Sequence, residues 1–178
     1  AGLMSISDVD AGSGVVKVTL SVGAGTLSLT AGNSGVDSIT GNNSASVVVT
    51  GTVTEINNLL GGVDTGTGSA GTIVFNPSGG DNPPASTQLT LKVEDNGNTG
   101  AGGNLQDTAV STINITAVND APTTSNSNAS GNEDTTIVVN LTGGDVDGSV
   151  AQFKITSLPT NGKLYADAGL TNELTANE

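Results

Sequence analysis

The chain has 178 residues, of which 17 are acidic and four are lysine, and its net charge at pH 7 is −13. It contains no histidine, cysteine or arginine, so histidine-based proton transfer, thiol nucleophiles, disulfides and thiolate metal sites are excluded. The excess of negative charge opposes binding to phosphate backbones and to anionic membranes, and we therefore predict neither a nucleic-acid partner nor direct membrane insertion.

Six segments in which apolar and polar residues alternate predict β-strands, with glycine, asparagine and proline between them. In chain order these segments are 16–22, 27–29, 46–49, 72–75, 89–93 and 113–117. Each segment offers one apolar face, as half-buried strands do, and the turns between them favour antiparallel pairing. The alternating segments and the turns between them therefore predict an all-β fold.

One segment, close to the middle of the first half of the chain, is predicted to be helical. Thr52 and Glu55 have the spacing of a capping box, which satisfies backbone N–H groups at a helix start. Three apolar residues after them share one helical face, and a pair of glycines ends the run. We expect this short helix to cover one flank of the strands.

The chain also repeats itself over a long distance. The motif Asp8-Val9-Asp10 returns as Asp145-Val146-Asp147, and residues 17–19 return in conservative form as 154–156. This spacing is far longer than the roughly 20 to 50 residues of solenoid repeats, so each copy is expected to fold around its own core. We interpret the chain as part of a longer series of tandem repeats.

The repeat predicts the domain boundaries. We expect residues 1–118 to form one repeat that lacks its first strand, residues 119–123 to form a calcium-binding linker, and residues 124–178 to form the N-terminal part of a second repeat. Residues 136–164 then contain the opening strands of that second repeat. The linker is predicted to bind calcium because acidic and amide side chains surround it.

Acidic and amide side chains concentrate at the linker. Asn119 and Asp120 precede Pro122, which fixes its own φ and stiffens the junction. Asp145 and Asp147 follow an expected strand and can direct two carboxylates to one point. Calcium takes about 6 to 8 oxygen ligands, so we predict these four residues as Ca²⁺ ligands. The alternative is that they cap turns by hydrogen-bonding to their own backbone.

Three motifs carry a resemblance to a known family. They are the linker sequence AVNDAPT at 117–123, the sequence VEDNG at 93–97 and the run from Gly51-Thr52 to Ile56-Asn57. Together with the repeated Asp-x-Asp, they resemble the cadherin-like repeats of giant bacterial surface adhesins over essentially the whole chain. The resemblance implies cadherin-like, Ig-like antiparallel β-sandwiches in tandem, joined end to end by calcium in an extracellular protein.

The same resemblance implies a second calcium site, at the other end of the first repeat. Its ligands are Asp8, Asp10 and Asp95. An EF-hand is excluded at both places, because that loop needs glycine at its sixth position and an acidic residue at its twelfth. Counting from Asp8, the sixth residue is Ser13, and counting from Asp95, the twelfth is Gln106.

We therefore expect a non-catalytic, calcium-stiffened structural repeat that forms the stalk of a secreted or cell-surface adhesin, with neighbouring repeats as its partners. Catalysis is not expected, because the acidic pairs lie in turns and Lys17 and Lys154 recur at equivalent strand positions. Two alternatives stay open. One is a ligand-binding adhesin domain, and the other is a filament subunit that forms a homo-oligomer by strand exchange through residues 136–141.

Overall fold

Antiparallel β-strands and one short helix make up the regular elements of the chain, which confirms the prediction of an all-β fold with one helix. The computed structural model describes residues 4–66, 68–80, 82–98 and 102–176. The chain divides into two units, Ala1–Val118 and Asn119–Glu178. No helix among the described residues is long and apolar enough to cross a bilayer.

The first unit contains seven strands and one helix within its described residues. They are β1 (Val16–Val22), β2 (Thr26–Thr30), β3 (Ser38–Thr40), β4 (Ser46–Gly51), α1 (Val53–Gly61), β5 (Thr72–Asn76), β6 (Ser86–Glu94) and β7 (Gln106–Asn114). Five strands form a sheet in the order β3-β4-β1-β6-β7, and β2 pairs with β5 in a second sheet. All of these pairs are antiparallel, as the sequence predicted.

Strand β1 lies at the centre of the larger sheet because its residues alternate strictly between apolar and polar. Val18 and Leu20 have no exposed surface, whereas the side chains between them are half-buried on the opposite face. Val18 pairs with Val49 of β4 on one side and with Val93 of β6 on the other. The core that forms here is aliphatic, with buried side chains from both sheets and from α1.

Helix α1 begins and ends at the residues that the sequence predicted. Thr52 Oγ1 accepts the backbone N–H of Glu55 at 3.3 Å, and Glu55 Oε2 accepts the backbone N–H of Thr52 at 2.7 Å. The capping box is therefore confirmed. Ile56 and Leu59 bury the inner face of the helix against the core, and Gly62 ends it with a φ of 59°.

Two strands of the first unit differ from the prediction. The last strand was expected at 113–117, but β7 spans Gln106–Asn114 and most of its side chains are exposed. Its polar residues show no alternation, and the strand forms because every one of its residues pairs with a residue of β6. β3 was not predicted, since Ile39 is its only apolar residue.

The second unit has little regular structure. Its described residues form two short strands, β8 (Thr123–Ser125) and β9 (Thr142–Gly144), which pair with each other. The prediction of further strands within 136–164 is wrong for the described residues, because apart from β9 none of this segment joins a ladder of paired backbone groups. None of the described side chains in 119–176 is buried, so the expected second core is not formed.

The cap of α1 gives a first prediction. Replacing Thr52 with alanine removes the acceptor for the Glu55 N–H, and we expect the free energy of unfolding of the first unit to fall by about 1 kcal/mol. Thr54→Ala is the matched control, since Thr54 is exposed in the first helical turn and alanine is the better helix former. Urea unfolding measures both variants, and equal losses for the two would contradict a capping role.

Candidate calcium-binding sites

Two carboxylates of the second unit, those of Asp145 and Asp147, lie together at the turn that follows β9, and the charge of Asp120 acts on Asp145 from nearby. Hydrogen bonding with Asp147 raises the pKa of the Asp145 carboxyl above its ordinary value, and burial and repulsion from Asp147 and Asp120 raise it further. The backbone N–H of Asp120 donates to Asp147 Oδ2 at 3.0 Å, and this bond lowers the pKa of Asp147. The two carboxyl groups therefore interact directly, and the interaction raises the pKa of Asp145 while it lowers that of Asp147.

One oxygen of this group lacks a partner. Asp145 Oδ1 is buried and accepts no hydrogen bond from the described part of the chain. Buried polar atoms in proteins nearly always have a partner, and an anionic oxygen without one is unfavourable. A hard cation satisfies such an oxygen, and carboxylate oxygen is a ligand that calcium prefers. The donor chemistry at Asp145 therefore fits Ca²⁺.

Asn119, the fourth residue predicted for this site, is placed differently. Its side-chain nitrogen donates to the backbone oxygen of Asp120 at 3.1 Å. The structure thus brings the carboxylates of Asp145 and Asp147 together with the backbone N–H of Asp120, while the amide of Asn119 contacts the backbone of its own neighbour. Residues 119–123, which were predicted as a linker, belong to the second unit, and β8 begins at the last of them.

The first unit carries the other acidic turn. Asp8 Oδ1 accepts the backbone N–H groups of Asp10 at 3.3 Å and of Ala11 at 3.2 Å. Hydrogen bonding with Asp8 raises the pKa of Asp10, and the charges of Asp8 and Asp95 raise it as well. The three residues predicted from the resemblance therefore lie within electrostatic reach of one another.

Asp95 stands where β6 ends and orders the loop that leads to β7. Its Oδ1 accepts the backbone N–H of Gly97 at 2.8 Å. In the same loop, the side chains of Asn96 and Asn98 donate to the backbone oxygen of Val15 at 3.2 and 2.9 Å. Sequence reasoning did not identify these two asparagines, because nothing local in the sequence indicates a partner some 80 residues away.

The turn-capping alternative is visible in the first unit, because Asp8 and Asp95 accept backbone N–H groups two or three residues further along the chain, whereas Asp147 accepts the N–H of the distant Asp120. No group of three or more carboxylates that could hold a metal ion occurs among the described residues. A carboxylate has two oxygens with about four lone-pair sites, so capping and ion binding are compatible at one side chain. Calcium binding remains a prediction at both turns.

Comparisons with known proteins give no relative, since no family model, no curated protein and no solved structure matches the chain. The resemblance to cadherin-like adhesin repeats therefore rests on the sequence motifs alone. Any function must be argued from the two acidic turns and from the fold that carries them.

The pKa directions predict opposite effects for two variants of the second unit. A raised folded pKa means that Asp145 contributes stability below the ordinary pKa of aspartate and loses it as the pH rises through the raised value. Asp145→Asn in chelator should therefore stabilise the second unit at neutral pH. Its thermal unfolding can be followed by NMR signals of residues 119–176.

Asp167 provides the matched control in the same unit. Hydrogen bonds from Asn172 and Thr171 lower its pKa, so its charge stabilises the fold above the ordinary pKa of aspartate, and this stability is lost as the pH falls through the lowered value. Asp167→Asn should therefore destabilise the second unit at neutral pH. If Asp145→Asn and Asp167→Asn both destabilise the second unit, the Asp145 carboxylate is not repelled by its neighbours.

Proposed function

We propose that the chain is a non-catalytic structural repeat of a secreted or cell-surface adhesin, of the cadherin-like type, which calcium stiffens. The observation that carries this proposal is the buried, unpartnered Oδ1 of Asp145 beside the carboxylate of Asp147. Two more observations support it: the backbone N–H of Asp120 donates to Asp147 in the same turn, and the charges of Asp8 and Asp95 act on Asp10 in the first unit.

The fold of the first unit supports a cadherin-like β-sandwich. Its two sheets contribute to one core, in which Val18 and Leu20 of the larger sheet and Leu27 and Leu29 of the smaller sheet are buried. Two aligned sheets around an aliphatic core are the defining feature of a sandwich. The division of the chain into two units supports the reading as tandem repeats.

Calcium has a clear role at the second-unit turn. Asp120, Asp145 and Asp147 supply carboxylates, and backbone carbonyls and water supply the remaining oxygens of a shell of about 6 to 8. Bound calcium neutralises the repulsion between the carboxylates and ties residue 120 to the turn after β9. Extracellular modules bind calcium with dissociation constants of about 10⁻⁴ to 10⁻³ M, which suits an ion that is abundant outside the cell.

The lysines support a structural role over a catalytic one. Lys17 Nζ lies 2.6 Å from a carboxylate oxygen of Glu94, and Lys92 Nζ lies 3.3 Å from the other oxygen. Lys163 pairs with Glu173 at 2.7 Å. The hydrogen bond with Glu173 raises the pKa of Lys163, whereas a catalytic base must lose its proton near neutral pH.

The filament alternative has an observation of its own. Along β7, the free edge of the larger sheet, nearly all side chains are exposed and Asp107 is the one charged residue. Residues 136–141 lie outside any strand and expose apolar side chains, among them Val138 at 74% and Leu141 at 50%. An edge and an apolar segment of this kind can pair between chains, so a strand-exchanged homo-oligomer is the second candidate.

The ligand-binding alternative has weaker support. An apolar groove of about 310 Å³ in the second unit is lined in part by Leu141, Phe153 and Ile155. Glycan and peptide receptors use polar groups and aromatic faces in a preformed site. Only 2% of the residues in this chain are aromatic, and Phe153 is the one aromatic side chain in this groove.

The calcium proposal predicts a change in melting temperature. Calcium that binds only the folded state stabilises it by mass action, so a hundredfold excess over the dissociation constant should raise the free energy of unfolding of the second unit by about 2.7 kcal/mol, and its melting temperature with it. Asp147→Asn should abolish most of this gain, because it removes a ligand charge. Calorimetry in calcium and in chelator measures the difference.

Asp167→Asn is the control, since Asp167 lies in the same unit and caps a turn outside the acidic group. Its calcium-dependent gain should equal that of the wild type. Identical melting curves in calcium and chelator would falsify the proposal.

The filament candidate predicts concentration-dependent association. In light scattering, the mass of the wild type should exceed that of a monomer at high concentration, and amide exchange of residues 136–141 should slow in parallel. Val138→Lys places a charge in the donor segment and should restore the monomer. Val118→Lys is the control, because Val118 is 77% exposed outside that segment and the charge change is the same. A strictly monomeric wild type rules this candidate out.

A further inference from the structure

The dipeptide Asn-Gly occurs at two places in the chain, Asn96-Gly97 and Asn161-Gly162. It is a chemically reactive dipeptide, because glycine has no Cβ to shield its backbone nitrogen from the asparagine side chain that precedes it. The reacting groups are the same at both places, so a difference in reactivity must come from the fold. Both asparagines are exposed, and burial therefore does not distinguish them.

The reaction open to this dipeptide is an intramolecular ring closure. The glycine nitrogen loses its proton and attacks Cγ of the asparagine; a C–N bond forms, the bond to the side-chain nitrogen breaks, and ammonia leaves with that proton. Water then opens the five-membered imide at one of its two C–N bonds, which gives aspartate or isoaspartate. The ring closes only when the glycine nitrogen lies on the same side of the Cα–C bond as the asparagine Cβ.

At Asn96 the fold keeps the reacting atoms apart. Asn96 and Gly97 have φ angles of 55° and 71°, and the backbone oxygen of Asp95 accepts the N–H of Asn98 at 3.2 Å. These features define a type I′ turn, in which the first central residue has a ψ of about +30°. With this ψ, the Gly97 nitrogen and the Asn96 Cβ lie on opposite sides of the Cα–C bond.

Hydrogen bonds hold this turn in place. Asp95 Oδ1 accepts the backbone N–H of Gly97 at 2.8 Å, and an N–H that donates to an anionic oxygen is harder to deprotonate. The side-chain nitrogen of Asn96 donates to the backbone oxygen of Val15 at 3.2 Å, and its backbone N–H donates to Asn104 Oδ1 at 3.0 Å. The nucleophile and the leaving group are therefore both restrained.

Asn161 has none of these restraints in the described part of the chain. Neither its side chain nor the N–H of Gly162 has a hydrogen-bond partner there. Asn161 has a negative φ, so it does not adopt the left-handed conformation that separates the reacting atoms at Asn96. Around Gly162, no heavy atom outside its chain neighbours lies within 4 Å of the place a Cβ would take, so the reacting nitrogen is open to water.

We propose that Asn161-Gly162 is a site of spontaneous modification at which Asn161 is converted to aspartate and isoaspartate, while the turn at Asn96-Gly97 protects the same dipeptide. The conversion needs water and is independent of the calcium proposal. It places a carboxylate two residues before Lys163, whose Nζ lies 2.7 Å from Glu173 Oε2. The new carboxylate competes with Glu173 for this lysine, and isoaspartate also adds one carbon to the main chain.

The test compares the two asparagines in one sample of the full chain. The chain is incubated at mildly alkaline pH and digested with trypsin, and mass spectrometry quantifies aspartate and isoaspartate at each position. Cleavage after Lys154 and Lys163 gives a peptide in which Asn161 is the one asparagine. We expect Asn161 to react on the order of tenfold faster than Asn96 or more, because reaction at Asn96 first breaks hydrogen bonds. In urea the two rates should converge, since unfolding removes the turn.

A variant of Asp95 tests the source of the protection. Asp95→Ala frees the Gly97 N–H and should raise the rate at Asn96 on the order of tenfold, while the rate at Asn161 stays at the wild-type value. Asp107→Ala is the matched control, because Asp107 is exposed in β7 and its carboxylate accepts the N–H of the adjacent Thr108. This control should leave both rates unchanged.

Three results overturn the proposal. One is an equal rate at Asn161 and Asn96 in the folded chain. Another is an Asn161 that reacts as slowly as Asn172, which no glycine follows. The third is an unchanged rate at Asn96 in Asp95→Ala, which removes the protective role of the bond to Gly97.

Discussion

The shortage of positive charge constrains every acidic turn of this chain. Seventeen acidic residues share four lysines, and three of the lysines lie in ion pairs with Glu94 and Glu173. The turn carboxylates must therefore be balanced by backbone N–H groups or by a cation from solution. Asp95 and Asp147 are balanced by backbone N–H groups, whereas the buried Oδ1 of Asp145 has no such partner. The calcium proposal follows from this unpartnered oxygen.

Much of the fold could be predicted from the sequence because its determinants are local. β1 follows from alternation over seven residues, and α1 follows from two side chains three positions apart. β7 was misplaced because its polar residues are ordered by pairing with β6, which no pattern within the strand records. Apart from β9, the described residues of 136–164 carry an apolar pattern but join no ladder, and an apolar pattern without backbone pairing does not produce a sheet.

The acidic residues of the candidate sites were predicted, but the residues that position them were not. The repeat of Asp-x-Asp marks Asp8 and Asp145 without any knowledge of the fold. Asn96 and Asn98 bond to a backbone atom 81 and 83 residues away, and asparagine is so frequent in this chain that neither position is distinctive. Side chains that bond to a distant backbone leave no periodicity and no local motif, so only the folded structure identifies them.

The strand order of the larger sheet determines how the first unit responds to tension. β1 is antiparallel to β6, and β6 is antiparallel to β7, so β1 and β7 run in the same direction. The chain therefore enters β1 at one end of the sheet and leaves β7 at the other. A force that pulls on these two points acts along the strands and loads their hydrogen bonds together in shear, instead of opening them one at a time. This geometry suits a domain that transmits mechanical load along its own strands.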